Sequence, residues 1–178
     1  MTRAIARAFG GRGRLLPLVL ASLLASGTIA SSAGADDRAD FTARYVILRD
    51  AMDSREDKAI KALLTPDFQA VDAMGNSQSA DDMISALALI PVDPSRERST
   101  TVDSVTPASD GKSADVIQSY HTVVKRQGRD GADHVIEIRA RSKDHWLLSG
   151  SKWLLQRTES QDMTILRDGI EVRHRTRQ

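Results

Sequence analysis

The sequence predicts an α+β domain in which three N-terminal helices cover one face of a curved antiparallel sheet of four to six strands. Two observations carry that expectation. Between Phe41 and Leu87 apolar residues recur at helical spacing. From Ser99 onward the chain turns to Thr- and Val-rich extended runs separated by Gly-containing turns. Helices first and hairpin strands afterwards is the order of an α+β fold.

Phe41, Tyr45, Leu48 and Met52 fall at i, i+4, i+7 and i+11, one face of a helix of about four turns, with Asp37 or Asp40 as its cap. Ser54 followed by Asp57 reads as a capping box for a shorter helix carrying Ile60, Leu63 and Leu64, ended by Pro66. Phe68, Ala70 and Val71 form a brief extended segment before the Asp72–Asn76 turn. Ser79 caps a third helix with Asp81 and Asp82 in its first turn, where negative charge suits the helix dipole, and Pro91 and Pro94 end it. The strands predicted next are Ser99–Val105, Ala114–Lys125, His134–Leu147 and Lys152–Thr158, then Met163–Leu166 and Ile170–Val172. On the His134–Leu147 strand Ile136, Ile138 and Ala140 point one way, and Glu137, Arg139, Arg141 and Lys143 the other. The apolar side is expected against the helices and the charged side against solvent or a partner subunit.

The N-terminus has its own chemistry. Arg3, Arg7, Arg12 and Arg14 precede the apolar run Leu15–Leu24, and small residues follow to Ala33-Gly34-Ala35. This is the order of an export signal over residues 1–35, cleaved near Ala35 to leave residues 36–178 as one domain, periplasmic or secreted, without a membrane span. The alternative is a retained anchor: the strict apolar run is about ten residues against the ~20 of a spanning helix, but extension to Ala30 makes it marginal. Because the signal holds four arginines and no acid, the formal charge changes from +1 for the whole chain to −3 after its removal. The apparent basicity belongs to the signal, so nucleic acid is not an expected partner. The tail Arg173–Arg177 is the one locally positive stretch, expected as a frayed terminus.

The absence of cysteine excludes a disulfide framework and a lipidated cysteine. No metal-binding motif, G-x-S-x-G elbow or phosphate loop occurs beyond the signal, so no metal or cofactor is expected.

The opening helix, the segment Leu64-Thr65-Pro66-Asp67-Phe68-Gln69-Ala70-Val71-Asp72 with Gly75 beyond it, the helix capped by Ser79, and the hairpin from Trp146 to Leu155 together resemble the SnoaL-like branch of the nuclear transport factor 2-like superfamily. The resemblance spans nearly the whole of residues 36–178. It implies a cone of curved sheet closed by helices, with an apolar pocket at its mouth. It also implies a choice among small-molecule binders, isomerases, cyclases, dehydratases or hydrolases, and modules that assemble as homodimers.

Pocket candidates are Tyr45, Phe68, Asp72, Tyr120, His121 and Trp146. Tyr45 is a hydrogen-bond donor on the apolar stripe of the first helix, or a core tyrosine. Asp72 is a base at the cone mouth, or the cap of its own turn. Tyr120 and His121 are adjacent on a strand, so only one of them can face the pocket. Asp144 and His145 diverge for the same reason. Trp146 and Trp153 flank the Gly150 turn and are expected on the core, and Arg157 at the surface or a subunit interface. The leading expectation is an exported domain that binds a small apolar molecule without a complete catalytic set. The alternatives are an isomerase, cyclase or hydrolase using Asp72 or His121 as base, and a dimerising module using the face around Arg139 and Arg141.

Overall fold

A computed structural model describes residues 33–178 apart from Pro94, with side chains from residue 37 onward. The predicted export signal lies outside the described residues.

Helix α1, Ala33–Ser54, buries Phe41, Tyr45 and Leu48 on the predicted stripe and leaves Met52 half-buried. It already runs from Ala33, so neither Asp37 nor Asp40 caps it. Arg55 then takes a left-handed φ of 59° and stops the helix. That turn overrides the expected Ser54–Asp57 box. Ser54 is the last residue of α1 and its hydroxyl donates to the Ala51 carbonyl at 2.7 Å, so the short helix α2, Asp57–Lys61, starts after Glu56 without a side-chain cap. Pro66 does not end that helix but lies within β1, Leu64–Val71.

β1 turns through Asp72–Asn76, with Gly75 at φ 88°, into the three-residue β2, Ser77–Ser79. Helix α3, Ala80–Ala88, follows with the predicted cap completed as a box. Ser79 accepts from the Asp82 backbone, and the Asp82 carboxylate accepts from the Ser79 backbone. The remaining strands are β3 (Glu97–Pro107), β4 (Ser113–Gln127), β5 (Asp133–Ser149), β6 (Lys152–Arg167) and β7 (Ile170–Thr176). The segment around Met163 is therefore the second half of β6, and the tail expected to fray is β7, paired from Arg167–Ile170 to Asp162–Thr176.

The described residues form a seven-stranded sheet in the order β2-β1-β6-β5-β4-β3, with β7 also on β6. One edge of β6 is shared: β1 pairs with its first half and β7 with its second. The β1–β6 pairing is parallel, which makes the sheet mixed rather than wholly antiparallel. Register shifts occur in the β3–β4 ladder between Val102 and Ser104, and twice in the β5–β6 ladder. Such irregularities bend long strands and sharpen their twist, curling the sheet around the helices.

The core lies between α1 and the concave face. Phe41 packs edge-on to Trp146 at 5.6 Å between ring centroids and against Trp153 at 5.2 Å, and Tyr45 meets Trp146 edge-on at 5.4 Å. Ile60 and Val116 are completely buried beside them. Outside, charged side chains on the opposite face neutralise one another: Arg139 with Glu137 at 2.6 Å, Lys143 with Asp115 at 2.9 Å and Arg157 with Glu159 at 2.5 Å, while the His121 ring hydrogen-bonds to Glu137 at 2.8 Å. No helix among the described residues is long and apolar enough to cross a membrane.

Candidate functional site

A cavity of about 220 Å³ opens between α1, α3 and the concave face of the sheet. Tyr45, Leu48 and Met52 line one side because helical spacing stacks them on one stripe of α1, and Met83 of α3 joins them there. Phe68 and Leu155 close it from β1 and β6, and Gln118 and Tyr120 from β4. Arg49, Arg98 and Thr100 stand at its margin.

Its polar end is built on Asp144, which is only 1 % exposed. The Tyr45 hydroxyl donates to Asp144 Oδ2 at 2.6 Å, and the Thr158 hydroxyl donates to Oδ1 at 2.6 Å. Trp146 Nε1 donates to the Tyr45 hydroxyl oxygen at 3.3 Å, so the phenol both gives and receives. Burial pushes the Asp144 carboxyl above the ordinary carboxylate range, against the opposing pull of the hydrogen bonds from Thr158 and Tyr45. Burial, then the neighbouring Asp144 charge, holds Tyr45 far above a normal phenol. The cavity thus presents a neutral phenol and a carboxyl that is reluctant to ionise. Such a pair can orient a polar atom of an otherwise apolar ligand, or exchange a proton with it.

The structure brings three of the six sequence candidates onto the cavity wall: Tyr45, Phe68 and Tyr120. Trp146 sits behind Tyr45, 2 % exposed, and positions its hydroxyl. Asp72 and His121 do not meet. Asp72 lines an adjoining groove of about 330 Å³ and is committed to its turn, accepting from the backbone of Met74 at 2.8 Å and of Asn76 at 2.9 Å. The Asn76 side chain and backbone hold its carboxyl below the usual range, which makes it a weak base. His121 is carried by strand alternation to the opposite face, on Glu137, while Tyr120 turns inward. Asp144 and His145 diverge as expected, and His145 pairs outside with Asp115 at 2.7 Å.

Asp144 is among the residues whose chemistry suits acid–base work in the sequence, but it is not one of the six pocket candidates. A signal for it existed, since it shares its parity on β5 with Ile138, Ala140 and Trp146, the side predicted to face the helices. Among the described residues no three His, Cys, Asp or Glu side chains gather as a metal centre needs.

Neither a protein-family profile nor a curated protein sequence matches the chain. Solved structures do. A protein from Kribbella flavida, Kfla4162, superposes with a TM-score of 0.58 at 14% identity, covering 79% of this chain and 93% of that one. The association domain of C. elegans CaMKII matches at 0.56 and 13% identity over 71% of this chain and 96% of that one. A hexachlorocyclohexane dehydrochlorinase, LinA type 2, matches at 0.52 and 10% identity over 80% and 92%. At these identities the likeness is one of fold, and proteins that catalyse and proteins that associate share it. From its element order, its curved mixed sheet and these likenesses, the chain has the nuclear transport factor 2-like, SnoaL-like fold.

Proposed function

We propose that this protein is an exported domain that holds a small, mostly apolar molecule in the cavity between α1 and the concave sheet. The observation that carries the reading is a cavity with apolar walls and one hydrogen-bonded polar end, Tyr45–Asp144–Thr158. Ligand sites are built this way, with burial supplying affinity and a few placed polar groups supplying orientation. An apolar cavity of about 150 Å³ takes up benzene, so a volume of about 220 Å³ suits one or two fused rings. Export rests on the arginine-then-apolar N-terminus. The test is calorimetric titration of the purified chain with 2-naphthamide, a neutral two-ring probe, beside a Met52→Trp variant that fills the cavity. The expected result is saturable binding that the variant loses. Absence of binding at millimolar probe, or equal binding by the filled variant, refutes the reading. N-terminal sequencing of the protein from the periplasmic fraction tests export, with an intact Met1 as the contrary result.

A second reading, proton-transfer catalysis, is favoured by one specific observation: a buried carboxyl with a raised pKa facing a ligand-sized cavity. Here Asp144 exchanges the proton and Tyr45 turns its one hydroxyl proton from Asp144 to the substrate oxygen, in place of the Asp72 or His121 base expected from sequence. Isomerisation of 3-cyclohexenone to its conjugated form, followed by ultraviolet absorbance, tests it. Activity lost in Asp144→Asn supports the reading, and no rate above buffer refutes it. The likeness to an association domain supports self-association of the chain, for which we propose a homodimer, and light scattering measures that state directly.

A further inference from the structure

A second concavity, of about 280 Å³, shares Arg49 and Arg98 with the cone cavity. It is lined by four arginines: Arg49 near the end of α1, Arg55 in the turn after it, Arg96 in the α3–β3 connection and Arg98 at the start of β3. Asp53 and Asp93 are the two carboxylates in it. Arg98 binds Asp53 at 2.5 Å, and Asp93 is already held by Arg126 at 3.1 Å. With Asp50, which holds Arg49 at 3.2 Å, five guanidinium groups meet three carboxylates, an excess of two positive charges.

Two of the guanidinium groups are under-used. Among the described residues, Arg55 Nε and Arg96 Nε are buried with no hydrogen-bond acceptor. A buried cationic donor without an acceptor is costly to keep. Arg55 gives only its Nη2 to the Ile90 carbonyl, at 2.9 Å. It also occupies a left-handed backbone position that glycine would fill with less strain, which places an arginine here at some expense to the turn.

We infer that this arginine cleft receives the anionic group of the cone ligand, so that the preferred ligand class is an amphipathic anion: an apolar body in the cavity and a carboxylate, or an oxyanion of like geometry, between the arginines. The inference rests on the cone-binding reading and adds the charge of the ligand to it. A carboxylate matches the fork of a guanidinium through two parallel hydrogen bonds. Arg49 and Arg98 stand in both walls, where the two ends of one short molecule meet.

The test compares 2-naphthoate with 2-naphthamide, which have the same ring system and differ in charge, by calorimetry on the full chain at 50 and 500 mM salt. The expected result is naphthoate binding at least tenfold more tightly at low salt, with the advantage shrinking at high salt while the amide is unaffected. Arg96→Gln and Arg55→Gln, neither of which lines the cone cavity, are expected to remove most of the advantage, and Arg96→Lys to keep more of it. If either glutamine variant fails to fold, the salt dependence of the wild-type ratio decides alone. Equal affinity for the two probes, or an advantage untouched by salt and by both substitutions, overturns the arginine cleft and leaves cone binding standing. No binding of either probe overturns both.

Discussion

Replacing Asp144 by Asn tests the electrostatics of the cavity most directly. The carboxyl is 1 % exposed and burial raises its pKa, so the folded state keeps its proton to higher pH than the unfolded chain, where Asp titrates at about 3.9. Below that value both states are protonated and the raised pKa is harmless. Above it the unfolded chain releases the proton and the folded one does not, so the folded state loses about 1.4 kcal/mol per pH unit until its own pKa is reached. The amide does not ionise, and it is nearly isosteric with the neutral acid. Its oxygen can accept from Tyr45 while its NH₂ donates to the Thr158 hydroxyl, which is free to rotate. The expected result from urea melts between pH 4 and 8 is a variant close to wild type at pH 4 that gains on it steadily as pH rises. Asp144→Ala behaves differently. It leaves the Tyr45 and Thr158 hydroxyls without their acceptor, a loss of about 4 kcal/mol and a fall in Tm on the order of 15 °C. A wild-type-minus-Asn difference that stays flat across the pH range refutes the reasoning, because it means that the carboxyl ionises inside the fold at its ordinary pKa.

Three further outcomes are expected. Tyr45→Phe removes the donor to Asp144 and the acceptor for Trp146 Nε1, and should cost about 1–3 kcal/mol in urea unfolding; a loss below the error of the melt means that the network is not made. Ser79→Ala removes the capping box of α3 and should cost about 1 kcal/mol, read from the same experiment with Ser85→Ala, exposed on the same helix, as the control. His134 is held by Asp168 and then Asp130, which raise its pKa, so the stabilisation is fully present below the unfolded value of about 6.5 and fades as pH rises through the folded one. An NMR titration of its ring protons should therefore find a midpoint above that of an unfolded histidine, and Asp168→Asn should lower it.

Much of the fold was legible because it depends on neighbours in sequence. The stripe Phe41–Tyr45–Leu48, the Ser79 cap and the alternation along β5 are all local, and each lies where its spacing placed it. The errors have local causes as well as distant ones. Ser54 and Asp57 had the spacing of a cap, but the left-handed Arg55 between them makes Ser54 the last residue of one helix instead of the start of the next. The basic tail looked like a loose end because its charge pattern carries no information about pairing. It is a strand because the second half of β6 offers it a free edge. The parallel β1–β6 pairing joins segments separated by five other elements, and no turn chemistry announces it.

The same division runs through the candidate site. Tyr45, Phe68 and Tyr120 could be named from residue type and periodicity, as could the rule that Tyr120 and His121 face opposite ways. Periodicity tells which face a residue is on, but neither how deep it lies nor what it meets there. Depth comes from the curvature of the sheet, which closes over Asp144 and brings it to Tyr45, 99 residues earlier in the chain. Four arginines scattered from residue 49 to 98 likewise become a cleft only where the end of α1, the turn after it and the start of β3 converge. The order of helices and strands, and the faces they present, were therefore determined by local chemistry in the sequence. The partners of the buried carboxyl and the gathering of positive charge were decided by tertiary packing, because both depend on contacts between residues far apart in the chain.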